Sequence, residues 1–156
     1  MWQTVRDNFS LKGLLVVAVT LVPSVLLAIF PPQNSLNVTS NLASTILENI
    51  GRFAVIAILL FSARRFDRRP DVWFGLACIF GLLYYVGWGR YFFGGQTFRL
   101  LYEPIFHIPV PLAVFPVLAL VAVAIWMRSI ALVIAVLVMA VGHVPASYLI
   151  YREVAR

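Results

Sequence analysis

Five stretches of this chain each run for about twenty residues with almost no charge, and that pattern excludes most ways a polypeptide can fold. A helix needs about 20 predominantly apolar residues to cross the hydrocarbon core of a bilayer, and only structures that satisfy their own backbone hydrogen bonds survive there. The stretches cover residues 13–30, 42–63, 72–93, 109–127 and 130–151. Together they occupy most of the 156 residues, leaving no room for a separate catalytic or nucleic-acid-binding domain. Composition agrees: 62% of residues are hydrophobic and 12% charged, where a soluble domain carries roughly a quarter charged. The expected fold is all-α, a polytopic membrane helix bundle of about five transmembrane helices plus a short amphipathic segment at the outer leaflet, forming one integral membrane domain.

Charge marks the boundaries. Twelve basic residues face six acidic ones, and arginine supplies eleven of the twelve. They gather at the ends of the apolar runs, which is the signature of membrane topology rather than of nucleic-acid binding. With the N-terminus cytoplasmic, Arg6, Lys12, Arg64, Arg65, Arg68, Arg69 and Arg128 fall inside, while Arg90, Arg99, Arg152 and Arg156 fall outside. The positive-inside rule therefore places this multi-pass chain in a cell membrane with its N-terminus in the cytoplasm and, after five crossings, its C-terminus outside. The first run follows a basic flank but lacks a small-x-small cleavage site after Phe30, so it is expected to be retained. Trp2, Val5 and Phe9 at helical spacing suggest a short surface helix, and Asn37-Val38-Thr39 is a glycosylation sequon in the outer loop.

Two charges are out of place. From Phe53 to Ala63 only eleven residues remain, about 16 Å of helix, so the second span must begin near Leu42 and carry Glu48 and Arg52 below the outer surface. Four residues apart, with glutamate N-terminal, they are in register to pair on one helix face. A charge at the bilayer centre costs at least about 2.5–3.5 kcal/mol on insertion scales. The pair is either a bundle-facing ligand site or an ion pair that fixes helix packing or meets a partner subunit.

Three further groups bear on function. Gln96, Arg99, Glu103 and His107 fall on one stripe of an amphipathic helix, with Pro104 allowing a bent or re-entrant form; Arg99, Glu103 and His107 either cover the Glu48/Arg52 site or face water. In the fifth span, His143, Ser147 and Tyr151 share a face, with Gly142 and Pro145 expected to kink the helix. An intramembrane histidine is a site candidate by default, with an interhelical hydrogen bond as the alternative. Around the end of the third span cluster Tyr84, Tyr85, Trp88, Tyr91, Phe92 and Phe93, with Arg90 among them. They read as an interfacial belt with a snorkelling arginine, or as a pocket mouth where Arg90 meets an anionic headgroup.

Cys78 is the single cysteine, and the spacing of the two histidines suits neither zinc nor bis-histidine haem, so no metal or cofactor is expected. The candidate ligand-binding residues are Glu48, Arg52, Arg90, Arg99, Glu103, His107 and His143. The leading reading is a non-enzymatic membrane protein that binds, and by extension transports, a lipid-like or amphipathic small molecule. The alternatives are an accessory subunit of a larger membrane complex and an intramembrane lipid-processing enzyme. Expected partners are membrane lipids and either further copies of the chain or another membrane subunit, not nucleic acid.

Overall fold

The computed structural model describes residues 9–34 and 41–154. The expected surface helix near Trp2 and the Asn37 sequon lie outside these residues. The rest is an all-helical bundle with five helices: α1 (Leu11–Ile29), α2 (Leu42–Leu60), α3 (Val72–Phe93), α4 (Pro111–Trp126) and α5 (Ile130–Val154). Four of them, α1, α2, α3 and α5, are long and apolar enough to cross a membrane. The fourth, α4, has 16 residues, about 24 Å of helix, and is short of the ~30 Å hydrocarbon thickness. The span expected at residues 109–127 is thus a helix of reduced length.

Four of the five helices start where a side chain takes up orphaned N–H groups. Ser10 accepts from the Gly13 N–H, Asn41 from Ala43, and Asp71 from both Trp73 and Phe74. Ser129 Oγ accepts from the Leu132 N–H at 3.3 Å. These are the short polar residues that cap helices, and they stand where apolar runs begin. Pro111 opens α4, where its missing N–H costs nothing. The second span ends sooner than residue 63: α2 stops at Leu60, and Ala63–Asp67 form a 3-10 turn.

One end of the bundle is basic and tightly tied. The Ser10 N–H donates to the Leu60 carbonyl at 2.8 Å, and Lys12 Nζ donates to the Phe66 carbonyl and to Asp67 Oδ1 at 3.2 and 3.0 Å. Arg65 donates to the carbonyls of Met127 and Arg128, and the Trp126 indole donates to the Arg69 carbonyl at 3.1 Å. Cations that bound the apolar runs therefore also lock α1, α2 and α4 together through backbone carbonyls left free at chain turns. Above this end, Phe66, Leu59, Val123, Met127, Leu132 and Val136 form an apolar core.

The helix α4 is the central one, with ten of its sixteen residues buried. Against it pack α3 and α5, and α5 lies antiparallel along α2. Gly51 faces the backbone of Met139, and Gly142 faces the backbone of Glu48 and Ser44, so closely that a methyl group at either glycine would collide with main-chain atoms. Small residues at such crossings are how membrane helices gain van der Waals contact without a hydrophobic driving force between them. Gly142 thus works as a packing face, and α5 runs as a single element through Gly142 and Pro145.

The helix α1 is held differently. Pro23 has no N–H to donate to the Val19 carbonyl, and the Tyr85 hydroxyl of α3 donates to that carbonyl instead, at 2.6 Å. The Tyr84 hydroxyl donates to the Thr20 carbonyl at 3.3 Å and the Tyr91 hydroxyl to the Phe30 carbonyl, just past the helix end, at 2.9 Å. Three tyrosines of one helix thereby take up three carbonyls of another. Replacing Tyr85 with Phe should leave the Val19 carbonyl unpartnered and lower stability by about 1–3 kcal/mol. Thermal unfolding in detergent would register this; Tyr148→Phe, whose hydroxyl serves no such bond, should change little.

Candidate functional site

Close approach at Gly142 brings the side chain next to it, His143, against the charged pair of α2. Arg52 Nη2 donates to Glu48 Oε1, as the four-residue register predicts, and His143 Nδ1 lies 3.1 Å from the same oxygen. Nδ1 carries the proton in this arrangement, which leaves Nε2 pointing elsewhere. One carboxylate thus holds an arginine from its own helix and a histidine from the facing one. Glu48 and Arg52 identify themselves in the sequence by spacing, whereas their meeting with His143 depends on a long-range helix pairing that spacing does not encode.

Beside this triad the helices form a half-open cavity of ≈ 220 Å³. That is well above the ~10–15 Å³ that a single water needs. Its wall is mostly aliphatic, drawn from all five helices, with Thr20, Ser24, Arg52, Trp88, Tyr102 and His143 among the residues that bring polar atoms to it. Glu48 stands behind Arg52 and His143 rather than in the wall. Ser147, one turn beyond His143, also lines the cavity, whereas Tyr151 on the same face does not. Thr20 turns its hydroxyl back to the carbonyls of Val16 and Val17 at 3.0 and 2.9 Å.

The aromatic cluster of α3 divides. Tyr84, Trp88 and Tyr91 are buried, Tyr91 completely, and stand edge-to-face with ring centroids 6.2 and 5.7 Å apart. They belong to a second core with Leu101 and Phe115, not to an interfacial belt. The belt reading holds only for the exposed Tyr85 and Phe93. Leu101 of the connecting segment packs into the same cluster.

That segment is not the amphipathic helix its pattern suggests. After Gly94 and Gly95 it forms a 3-10 turn at Phe98–Leu101, followed by turns and an isolated bridge between Ile105 and Ile108. Gln96, Phe106, His107 and Val110 all have positive φ, and Val110 is β-branched and only 2% exposed. Such conformations cost about 1–3 kcal/mol each and persist only where packing imposes them. Leu101, Ile105 and Val110 are the buried anchors. The stripe expected of Gln96, Arg99, Glu103 and His107 is broken, and the left-handed His107 falls outside the arginine–glutamate group.

What remains of the stripe is an ion network. Arg90 Nη2 lies 3.0 Å from Glu103 Oε2, and Arg90 Nη1 donates to the Pro104 carbonyl at 3.4 Å. Arg99 lies 3.7 Å from Glu103 Oε1. Arg90 is therefore engaged by the chain itself instead of facing an external headgroup alone. The segment does reach the cavity, through Leu101 and Tyr102. Burial pushes the Tyr102 phenol above its usual range, and the nearby Glu48 carboxylate pushes it further the same way. Leu101 and Tyr102, rather than Arg99, Glu103 or His107, thus bring this segment to the cavity, and Glu103 ties it to α3.

The candidate residues accordingly form two groups, Glu48–Arg52–His143 and Arg90–Glu103–Arg99, with His107 in neither. Tyr102 is a wall residue that the sequence pattern does not mark, whereas Tyr84 and Trp88 stand in the aromatic cluster that reads equally well as interface anchors or as a pocket mouth. Glu103→Gln should weaken the tie between the cover and α3 by about 0.5–1 kcal/mol. Amide hydrogen exchange across residues 96–108 should then run roughly two- to five-fold faster, while α4 is unchanged. No family model matches the chain, and no curated protein or solved structure is similar to it.

Proposed function

We propose that this chain is an integral membrane protein that binds a lipid-like or amphipathic small molecule in the cavity beside Glu48, Arg52 and His143. The observation that carries this reading is Arg52 in the wall of an otherwise aliphatic cavity. Arg52 lies eleven positions into the nineteen-residue α2, near mid-depth of a span. A guanidinium has five N–H donors, and Glu48 accepts from only one nitrogen of this one. In hydrocarbon the remaining donors need acceptors, and a bound molecule with a polar head and an apolar body supplies them while filling the aliphatic wall.

The basic end of the bundle faces the cytoplasm on this reading, by the positive-inside rule, so that Arg64, Arg65, Arg68, Arg69 and Arg128 lie at that surface and the segment carrying Leu101 and Tyr102 lies toward the other. Transport is the natural extension, with the segment around Tyr102 as the part that moves. A second reading, an accessory subunit of a larger membrane complex, draws on one fact: the Arg52 side chain is 42% exposed, and a partner helix could take up its free donors.

Native mass spectrometry of the protein extracted with its lipids separates the two. The expected result is a retained small molecule on the wild-type chain and its loss, by tenfold or more, in the Glu48→Gln/Arg52→Gln double variant. Changing both partners avoids leaving one partly buried charge without the other. A wild-type chain that carries no molecule but migrates with a second polypeptide would overturn the binding reading in favour of the subunit.

A further inference from the structure

The basic end of the bundle holds three arginines that the fold itself does not use. Two chain turns meet there. Arg65 Nη1 donates to the Arg128 carbonyl at 2.6 Å and the Trp126 indole donates to the Arg69 carbonyl, so the turn at 63–69 is pinned beside the turn that joins α4 to α5. Arg64, Arg69 and Arg128 are thereby gathered at one surface, all of them exposed, while Arg68 between them is half-buried. Among the described residues, no hydrogen bond or ion pair engages the guanidinium group of Arg64, Arg69 or Arg128. The described acids at this end are already occupied: Asp67 pairs with Lys12 at 3.0 Å, and Asp71 accepts from the first N–H groups of α3. Lys12 and Arg65 hold the bundle together, and the other three hold nothing within it.

Membrane topology asks only that positive charge lie on this side, and a cation anywhere along either turn would meet that demand. The convergence of unpaired guanidinium groups from two turns is a further property. Each presents its N–H donors in a planar fork that matches the oxygens of a phosphate, and a crowd of like charges without acids favours an anion among them. What lies beside them is apolar. Phe61, at the end of α2, and Val72 and Trp73, at the start of α3, are exposed, and the ring of Phe74 packs on Trp126 with centroids 5.0 Å apart. A free phosphate would use the arginines alone. A phospholipid sets its head on the arginines and its acyl chains against these apolar side chains, which stand at the ends of membrane spans. We propose that Arg64, Arg69 and Arg128 bind the phosphate of an anionic phospholipid of the surrounding bilayer, at a site separate from the cavity and independent of any occupant there.

The test uses the full chain in nonionic detergent, mixed with equal amounts of dioleoylphosphatidylglycerol and dioleoylphosphatidylcholine. Lipid that stays with the chain through gel filtration is read by mass spectrometry. Each basic residue near anionic headgroups is worth about fivefold in binding, so phosphatidylglycerol should be retained about fivefold or more over phosphatidylcholine. In the Arg64→Gln/Arg69→Gln/Arg128→Gln variant the preference should fall to about twofold or less, with an unchanged melting temperature, because these side chains hold no other part of the chain. The Glu48→Gln/Arg52→Gln variant, which alters the cavity, should keep the preference. Equal retention of the two lipids by the wild-type chain, or an unchanged preference in the folded triple variant, would overturn the site. Loss of the preference in the cavity variant alone would overturn it too, by moving the lipid to the cavity. Replacing sodium chloride with inorganic phosphate at matched ionic strength should leave the lipid bound; its displacement would make the arginines a site for free phosphate instead. Failure of the arginine site in any of these ways leaves the cavity reading as it stands.

Discussion

Inside hydrocarbon no water is at hand to complete a hydrogen bond, and much of this structure follows from that shortage. A proline in α1 deprives the Val19 carbonyl of its ordinary donor, and a tyrosine on α3 supplies one. The chain turns at the basic end expose carbonyls, and Lys12, Arg65 and Trp126 reach them. Side chains that look like boundary markers or interface anchors by composition are thus also the groups that join one helix to the next. The helix α1 depends on this most, because few of its residues are buried and tyrosine hydroxyls, more than apolar contact, hold it to α3.

The same shortage explains the crossing of α2 and α5. Two glycines let the backbones come together, and the histidine beside one of them reaches the glutamate of the other helix. Tight packing and charge compensation are one arrangement here: if the helices stood further apart, His143 would lose Glu48, and the cavity wall would lose its fixed donors. A buried ionic group of this kind adds little net stability compared with an apolar replacement, so its presence is better explained by specificity or ligand contact than by stability.

How much of this was legible in the sequence differs from element to element. The bounds of α3 are those of its apolar run, and α1, α2 and α5 depart from theirs by a few residues, because hydrocarbon thickness sets a length that composition displays directly. The segment at 96–108 departs from the helix that its pattern suggests because polar residues at helical spacing say nothing about the burial of Leu101, Ile105 and Val110, which tertiary packing decides. Glu48 and Arg52 were visible as a pair, and His143 as an isolated candidate. Their junction depends on which helices are neighbours, and local pattern carries no record of that.

The short length of α4 has a wider consequence. A helix some 6 Å too short for its bilayer ordinarily forces the lipids around it to thin or the helix to associate with others. Here ten of the sixteen residues of α4 are buried and its neighbours α3 and α5 are longer, so protein rather than lipid meets most of its surface, and one short helix need not thin the bilayer around the whole bundle.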